Sequence, residues 1–574
     1  MPLWTRLHRR SAPAQQLGGS LFFSGFFPGF FPGLILGLLS GCQPRGAVPG
    51  QAASAATPAP YSATARGPLP TGVNNAPGAL LYSETDLRRY LDELMANIAL
   101  KRVERLSVAV EPGEGPEEAH PKLYSPRLRE NVDPIEAHFN AGEEFFEAEL
   151  TTFTGYGDGF SNRYRQTHRV HSGAHGGPDS TSCRSCHHRG GDDGAGEYNE
   201  NALTAGDGHS AFAAQERNPP ALGGGGAIQI LAAEITAELK KRVSAPYKDP
   251  IPVNLTVQGV DFGDVTLFPD GRVGTDKLTA IDPDLVVRPF GWKGTHSTLR
   301  RFAEEAFQVH HGLQSEALAL RRTVFGTELF GASAATRAVL SQQGDGPPLD
   351  PDRDNIINEL SSAKLQGIAT YLTLLPLPVI DPPRSPDLLA AWRDGGAVFS
   401  AVGCASCHKP MWSIKNPVWT EHGDDEFTRT PLVLDLRKDI RNGPPLRNLD
   451  IVVLDYPVFI FSDLKRHDMG PELADKYPGP SAKAPHAGDR GSQGSAEKPI
   501  PSSYFLTRPL WGVADSGPYL HDGRALTLHD AIVQHGGEAQ KAQQAYLALP
   551  AQKQRALQVF LMSLTRQALP EVAQ

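Results

Sequence analysis

The sequence predicts a mainly α chain of two expanded domains built on one plan, with loop and small β insertions. Three observations carry this expectation. A Cys-x-x-Cys-His unit occurs twice, at Cys183-Arg-Ser-Cys186-His187 and Cys404-Ala-Ser-Cys407-His408. Each unit is preceded by an apolar-periodic helical pattern, and each half closes with another. The length of 574 residues is enough for two or three separate cores.

At the N-terminus, Arg6, Arg9 and Arg10 precede an apolar stretch from Leu21 to Leu39, broken by Pro28 and Pro32 and ending in Leu39-Ser40-Gly41-Cys42. This reads as an export signal. The stretch is long enough to span a bilayer, but its Gly and Pro content and the lipobox-like end favour cleavage and lipidation of Cys42. Residues 1–41 are therefore expected to be a lipoprotein signal peptide. Residues 42–80 are rich in Pro, Ala and Gly and form a flexible linker, and 81–134 form a helical extension. A periplasm-facing protein lipid-anchored to a membrane of the bacterial cell envelope, the outer one by expectation, is implied.

The first domain is placed at 135–380. Its leading helix runs from Ile135 to Leu150 and its closing helix contains Leu365 to Leu372. Between them, Val265-Thr-Leu-Phe268 and Arg272-Val273 flank Pro269-Asp270-Gly271, a hairpin signal inside an insertion from Pro250 to Val287. The linker Leu375 to Pro383 leads to the second domain, 381–574. There the leading helix, Pro386 to Val402, places Leu388, Leu389, Trp392 and Phe399 on one face, and the closing helix contains Leu557 to Leu564. The Gly/Pro-rich stretch from Tyr477 to Pro501 reads as a mobile surface loop. A further recurrence links the halves: Gly291-Trp-Lys-Gly294 leads through Leu299 to His310-His311-Gly312, and His521-Asp-Gly-Arg524 leads through Leu528 to His535-Gly536. Together these indicate an internal duplication.

The chain has five cysteines, and an exported protein ordinarily spends them on disulfides. With Cys42 assigned to the lipobox, the other four are all in the two units. Two thiols three positions apart can each bond a vinyl group of one porphyrin, and the next His then lies beneath the iron. A thioredoxin-like dithiol would stand beside a βαβ pattern, which neither unit has, and a zinc ribbon would gather all four thiols. The expectation is two covalently bound haem c groups, with His187 and His408 as proximal ligands, in two expanded cytochrome c-type haem domains. The net charge of −9 arises from interspersed signs, which excludes the basic stripe a nucleic-acid partner requires.

The residues from about 135 to 568 resemble the bacterial di-haem cytochrome c peroxidases, and more closely the related di-haem oxidoreductases labelled thiol oxidoreductases. The specific segments are Ser462-Asp-Leu-Lys-Arg-His-Asp-Met-Gly470, Arg508-Pro-Leu-Trp-Gly512, and Pro518-Tyr-Leu-His-Asp-Gly-Arg524 followed by His535-Gly-Gly-Glu538. In the first half, Gly208-His209 leading to Arg217-Asn-Pro-Pro220 resembles the segment that supplies the distal ligand of the N-terminal haem. Trp292 falls where that family has a tryptophan between the haems. The resemblance implies His209 as the N-terminal distal ligand. It also implies His535 at the C-terminal haem, where related peroxidases place Met and a methylamine-processing relative places Tyr. Met469 is the competing ligand there, and His521 reads as a supporting residue.

The resemblance implies an enzyme in which electrons enter at the C-terminal haem, pass near Trp292 and reduce hydrogen peroxide or a similar small oxidant at the N-terminal haem. The donor would be a redox partner protein or a quinol-linked donor, and relatives bind calcium between the domains. One departure matters. Phe302 takes the place of the family's Gln, and the region of its catalytic Glu reads His310-His311-Gly312. Either His could shuttle protons near its ordinary pKa, or ligate iron and close the site. A non-catalytic two-haem electron carrier and an oxidoreductase acting on a thiol or other substrate stand as alternatives.

Overall fold

The computed structural model describes residues 134–151, 154–157, 170–172, 179–191, 193–206, 214–244, 248–313, 315, 359–421, 432–436, 456–476 and 500–566. The expectations for the signal peptide, Cys42, the linker, the extension, His209 and most of the 477–501 loop fall outside these residues.

Eight α-helices are described: α1 (Pro134–Glu147), α2 (Gly225–Arg242), α3 (Leu299–Ala306), α4 (Ser362–Leu374), α5 (Pro386–Ala401), α6 (Leu528–Val533), α7 (Gln540–Leu547) and α8 (Ala551–Met562). The leading helix of each half packs on its closing helix, α1 on α4 and α5 on α8. Glycine permits both crossings. A Cβ on Gly142 would lie 2.2 Å from the Gly367 carbonyl oxygen, and one on Gly395 would lie 2.0 Å from that of Ala556. Aromatic pairs fasten the same crossings: Phe146 meets Tyr371 at 5.4 Å and Phe399 meets Phe560 at 5.5 Å between ring centroids. Starts are set by side-chain caps, with Ser361 and Ser385 accepting from the backbone N–H of Lys364 and Leu388.

Strands are more numerous than expected, and the described architecture is mixed α and β rather than mainly α. Six small sheets are described, two of three strands and four of two. The period-2 signal is weak in strands of two to four residues, which hides them in a sequence read by periodicity. The hairpin expected in the insertion is present: Val260–Leu267 pairs antiparallel with Val273–Leu278, Leu267 opposite Val273. Its turn closes through Phe268 N–H to the Arg272 carbonyl at 3.0 Å.

Buried side chains form two clusters. The larger is built on α1, α2 and α4, where Leu231, Ile235 and Leu239 recur along one face of α2. It also takes in Trp412, Ile414, Trp419, Leu434, Val458 and Ile460 from beyond the second Cys unit. The smaller is built on α5 and α8, around Trp392, Phe399 and Phe560. Burying each such side chain contributes roughly 1.5–3 kcal/mol.

The duplicated turn is visible in both halves. Isolated antiparallel bridges join Phe290 to His296 and Tyr519 to Ala525. Thr298 then caps α3 by accepting from Arg301 N–H, and Thr527 caps α6 by accepting from Asp530 N–H. No helix among the described residues is long and apolar enough to cross a membrane.

Candidate functional site

Helix α5 ends at Gly403, whose φ of +97° turns the chain directly into the second Cys unit. Cys404, Cys407 and His408 open into a cavity of 510 Å³ that His535 and Met469 also line. The imidazoles of His408 and His535 face each other across it, 6.5 Å between centroids. His408 Nδ1 donates to the Phe461 carbonyl at 3.1 Å and His535 Nδ1 to that of Ala531 at 2.7 Å. Each Nε2 is left for a ligand, the arrangement by which metal-binding histidines are fixed. Two metal–imidazole bonds of about 2 Å each, plus the offset of each nitrogen from its ring centre, fill such a separation. Burial pushes His408 down to about 4 and His535 in the same direction, leaving both neutral, the form that ligates a metal.

The first unit is held similarly. His187 Nδ1 is shared between the carbonyls of Pro220 at 3.0 Å and Gly194 at 3.2 Å, and burial pushes the ring down to about 4. Burial raises the thiols too, Cys183 to about 12 and Cys186 and Cys404 to about 11. A redox dithiol needs a lowered pKa, which these cysteines do not have. The donor sets of both units fit haem c.

Beyond α3 the helix widens into a π turn, Phe307–His311, ended by Gly312 at φ +77°. That turn sends its two histidines to different partners. His310 Nδ1 donates to Asp179 Oδ2 at 3.1 Å. His311 Nδ1 donates to the Ser180 carbonyl at 2.8 Å, and its Nε2 is 3.7 Å from Cys183 Sγ. Burial works against charge on His310, but the Asp179 carboxylate outweighs it and raises the pKa.

Trp292 stands where the halves meet. Its Nε1 donates to the Asn218 carbonyl at 2.9 Å, its ring meets His521 edge-on at 6.4 Å, and the Arg508 guanidinium lies 5.2 Å above it. All four residues, with Phe302, line the 510 Å³ cavity. His521 is itself stacked on Phe505 at 4.3 Å. Asp475, from the second half, receives Arg217 at 2.8 Å and Lys293 at 3.0 Å from the first.

Sequence reasoning gave no role to Asp179 or Arg508, nor to a triad in which buried His467 donates to buried Asp463 at 2.8 Å and to exposed Glu538 at 2.7 Å. Asp179 lies four residues before Cys183, and Glu538 three after His535, so proximity to a ligand was the available signal. Cys407, Asp463 and His467 form the one group of three metal-capable side chains among the described residues. It is not the all-oxygen set that calcium takes.

Residues 432–564 match the family model described as "Di-haem oxidoreductase, putative peroxidase". That segment is similar to the di-haem oxidoreductases. That match takes in His467, Arg508, His521 and His535. Among solved structures, the chain is similar to a hydrazine synthase of Kuenenia stuttgartiensis, at 22% identity and a TM-score of 0.20. The match covers 36% of this chain and spans 57% of the hydrazine synthase chain. It is also similar to a MauG-like protein associated with microbial copper homeostasis, at 15% identity over 77% of this chain and 92% of the other, with a TM-score of 0.29. Neither score establishes a shared fold. No curated protein matches.

Proposed function

We propose that this chain is a di-haem c-type cytochrome oxidoreductase that reduces hydrogen peroxide or a similar small oxidant. In this reading haem c is attached through Cys183 and Cys186 in the first half and through Cys404 and Cys407 in the second. The carrying observation is the pair His408 and His535, whose rings lie at one-metal separation across the cavity, together with His310, whose Nδ1 is braced by the Asp179 carboxylate.

Haem, when bound, supplies one-electron redox chemistry at each unit. His408 and His535 would both hold the C-terminal group, which suits electron entry and storage. His187 would hold the N-terminal group. Reducing hydrogen peroxide breaks the O–O bond and consumes two electrons and two protons to give two waters. The electrons come from a redox partner protein or a quinol-linked donor, passing by way of Trp292. His310, braced by Asp179, keeps a proton available at its Nε2 for the departing oxygen. Cleavage after Gly41 and acylation of Cys42 would tether the folded part to the bacterial envelope membrane.

The apolar Phe302 on the cavity wall favours a second reading, an electron carrier with both irons closed. Optical and EPR spectra of the oxidised and half-reduced protein, before and after hydrogen peroxide, separate the two. A high-spin signal on half-reduction that peroxide abolishes supports the enzyme. Two low-spin irons in every state, indifferent to peroxide, leave the carrier.

A further inference from the structure

Arg508 is the least explained charge in the cavity. Its guanidinium lies over the face of Trp292, 5.2 Å from the ring centroid, and Arg508 lines the same cavity as Cys404, His408 and His535. Among the described residues no carboxylate pairs with it. Two other cations line the cavity, Lys541, which is exposed, and Arg566, which donates to the Gly190 and Gly191 carbonyls at 2.9 and 3.2 Å; farther out, Arg217 and Lys293 pair with Asp475, Arg466 with Asp282, and Arg524 with Asp522. His521, the other polar group against Trp292, is pushed by burial down to about 4 and so carries no charge that could satisfy or oppose the guanidinium. Burial also pulls Arg508 below its usual range, to about 10. A partly desolvated cation without a counter-ion is costly, and a tryptophan face recovers roughly 0.5–2 kcal/mol of that cost.

We propose that Arg508 is the seat of a porphyrin propionate, donating to the carboxylate from its place over Trp292. The inference rests on the haem reading above. A guanidinium matches a carboxylate with two parallel N–H donors, and the propionates are the anionic groups of the porphyrin. The charge has a redox consequence. Reduction removes a positive charge from iron, so a fixed cation at the propionate favours the reduced state and raises the midpoint potential. Arg508 is thus a positioning residue that tunes one haem and holds that haem's carboxylate against the indole between the halves.

The test is a spectroelectrochemical titration of the purified holoprotein beside Arg508→Gln and Arg508→Lys, with haem content counted by pyridine haemochrome. Two haems in the parent uphold the underlying reading, and fewer would defeat that reading first. With loading intact, Arg508→Gln should lower one midpoint potential and leave the other in place, while Arg508→Lys should restore most of the shift. A fall at the His408 haem assigns the propionate to the C-terminal group, and a fall at the His187 haem assigns it to the N-terminal one. If neither potential moves, or if Lys shifts it as far as Gln, the proposal is overturned. Should Arg508→Gln fail to load, the propionate bending band in resonance Raman spectra decides between parent and Arg508→Lys. A displaced band supports the contact, and an identical band excludes it.

Discussion

Arg466 grips Asp282 with both ends of its guanidinium, Nη1 to Oδ1 at 2.7 Å and Nη2 to Oδ2 at 2.6 Å, across the two halves of the chain. Both side chains are largely covered, and Asp282 also receives Arg288 at 2.9 Å. Removing Arg466 still leaves Asp282 paired with Arg288. Arg466→Ala should therefore cost about 1–2 kcal/mol, the loss of charge-assisted hydrogen bonds rather than of all pairing, read as a lower urea midpoint, with the visible haem spectrum little altered at low denaturant. An unchanged midpoint would show that the pair contributes nothing net.

The facing imidazoles make the next prediction. His535→Ala should convert the C-terminal iron from low to high spin and open it to cyanide, whereas Met469→Leu should leave spin state and spectrum as they are. His535→Met should keep a six-coordinate iron and raise its potential, because a Met/His iron lies above a His/His one. If Met469→Leu alone changes the spin state, the ligand is Met469.

Asp179 and His310 give a pH signature. The folded-state pKa of His310 is raised above its ordinary value of 6.5, so folding favours the charged ring. Its contribution is fully present below about 6.5 and is lost as pH rises through the raised folded value. Thermal melts of the parent should thus lose stability across that window, and Asp179→Asn should flatten the slope. The same variant should slow peroxide turnover more than it weakens donor binding, if His310 handles the proton.

Trp292→Phe removes the hydrogen bond to the Asn218 carbonyl, a loss of about 1 kcal/mol, and narrows the aromatic bridge between the halves. Stopped-flow reduction should show the first iron reduced at the parental rate and the second more slowly. Equal slowing of both phases would place the effect at donor entry instead.

How much of this was legible in the sequence depends on the physical signal each feature leaves. The Cys units were readable because their spacing is strict, and the helices because they leave a 3.6-residue period. The duplicated turn was readable too, because Gly291-Trp-Lys-Gly294 leading to Leu299 recurs as His521-Asp-Gly-Arg524 leading to Leu528. The two- to four-residue strands were not, because they are set by tertiary pairing rather than by their own pattern. Nor were the pairings of Asp179 with His310 and of Glu538 with His467. A carboxylate beside a ligand looks like any solvated acid until the fold brings a ring to it.

The mixed ownership of the larger core bears on how the chain can be made. Trp412, Ile414, Trp419, Leu434, Val458 and Ile460 pack with α1, α2 and α4, although they follow the second Cys unit in the chain. A chain emerging N-terminus first therefore leaves apolar faces of α1, α2 and α4, beside the first Cys unit in sequence, uncovered until these residues have been synthesised. An enzyme attaching porphyrin at Cys183 and Cys186 would meet an unfinished, accessible substrate. A fragment ending near residue 380 would keep that exposed state permanently, so the first half is not a separable module, and a stable fragment must extend past Leu464.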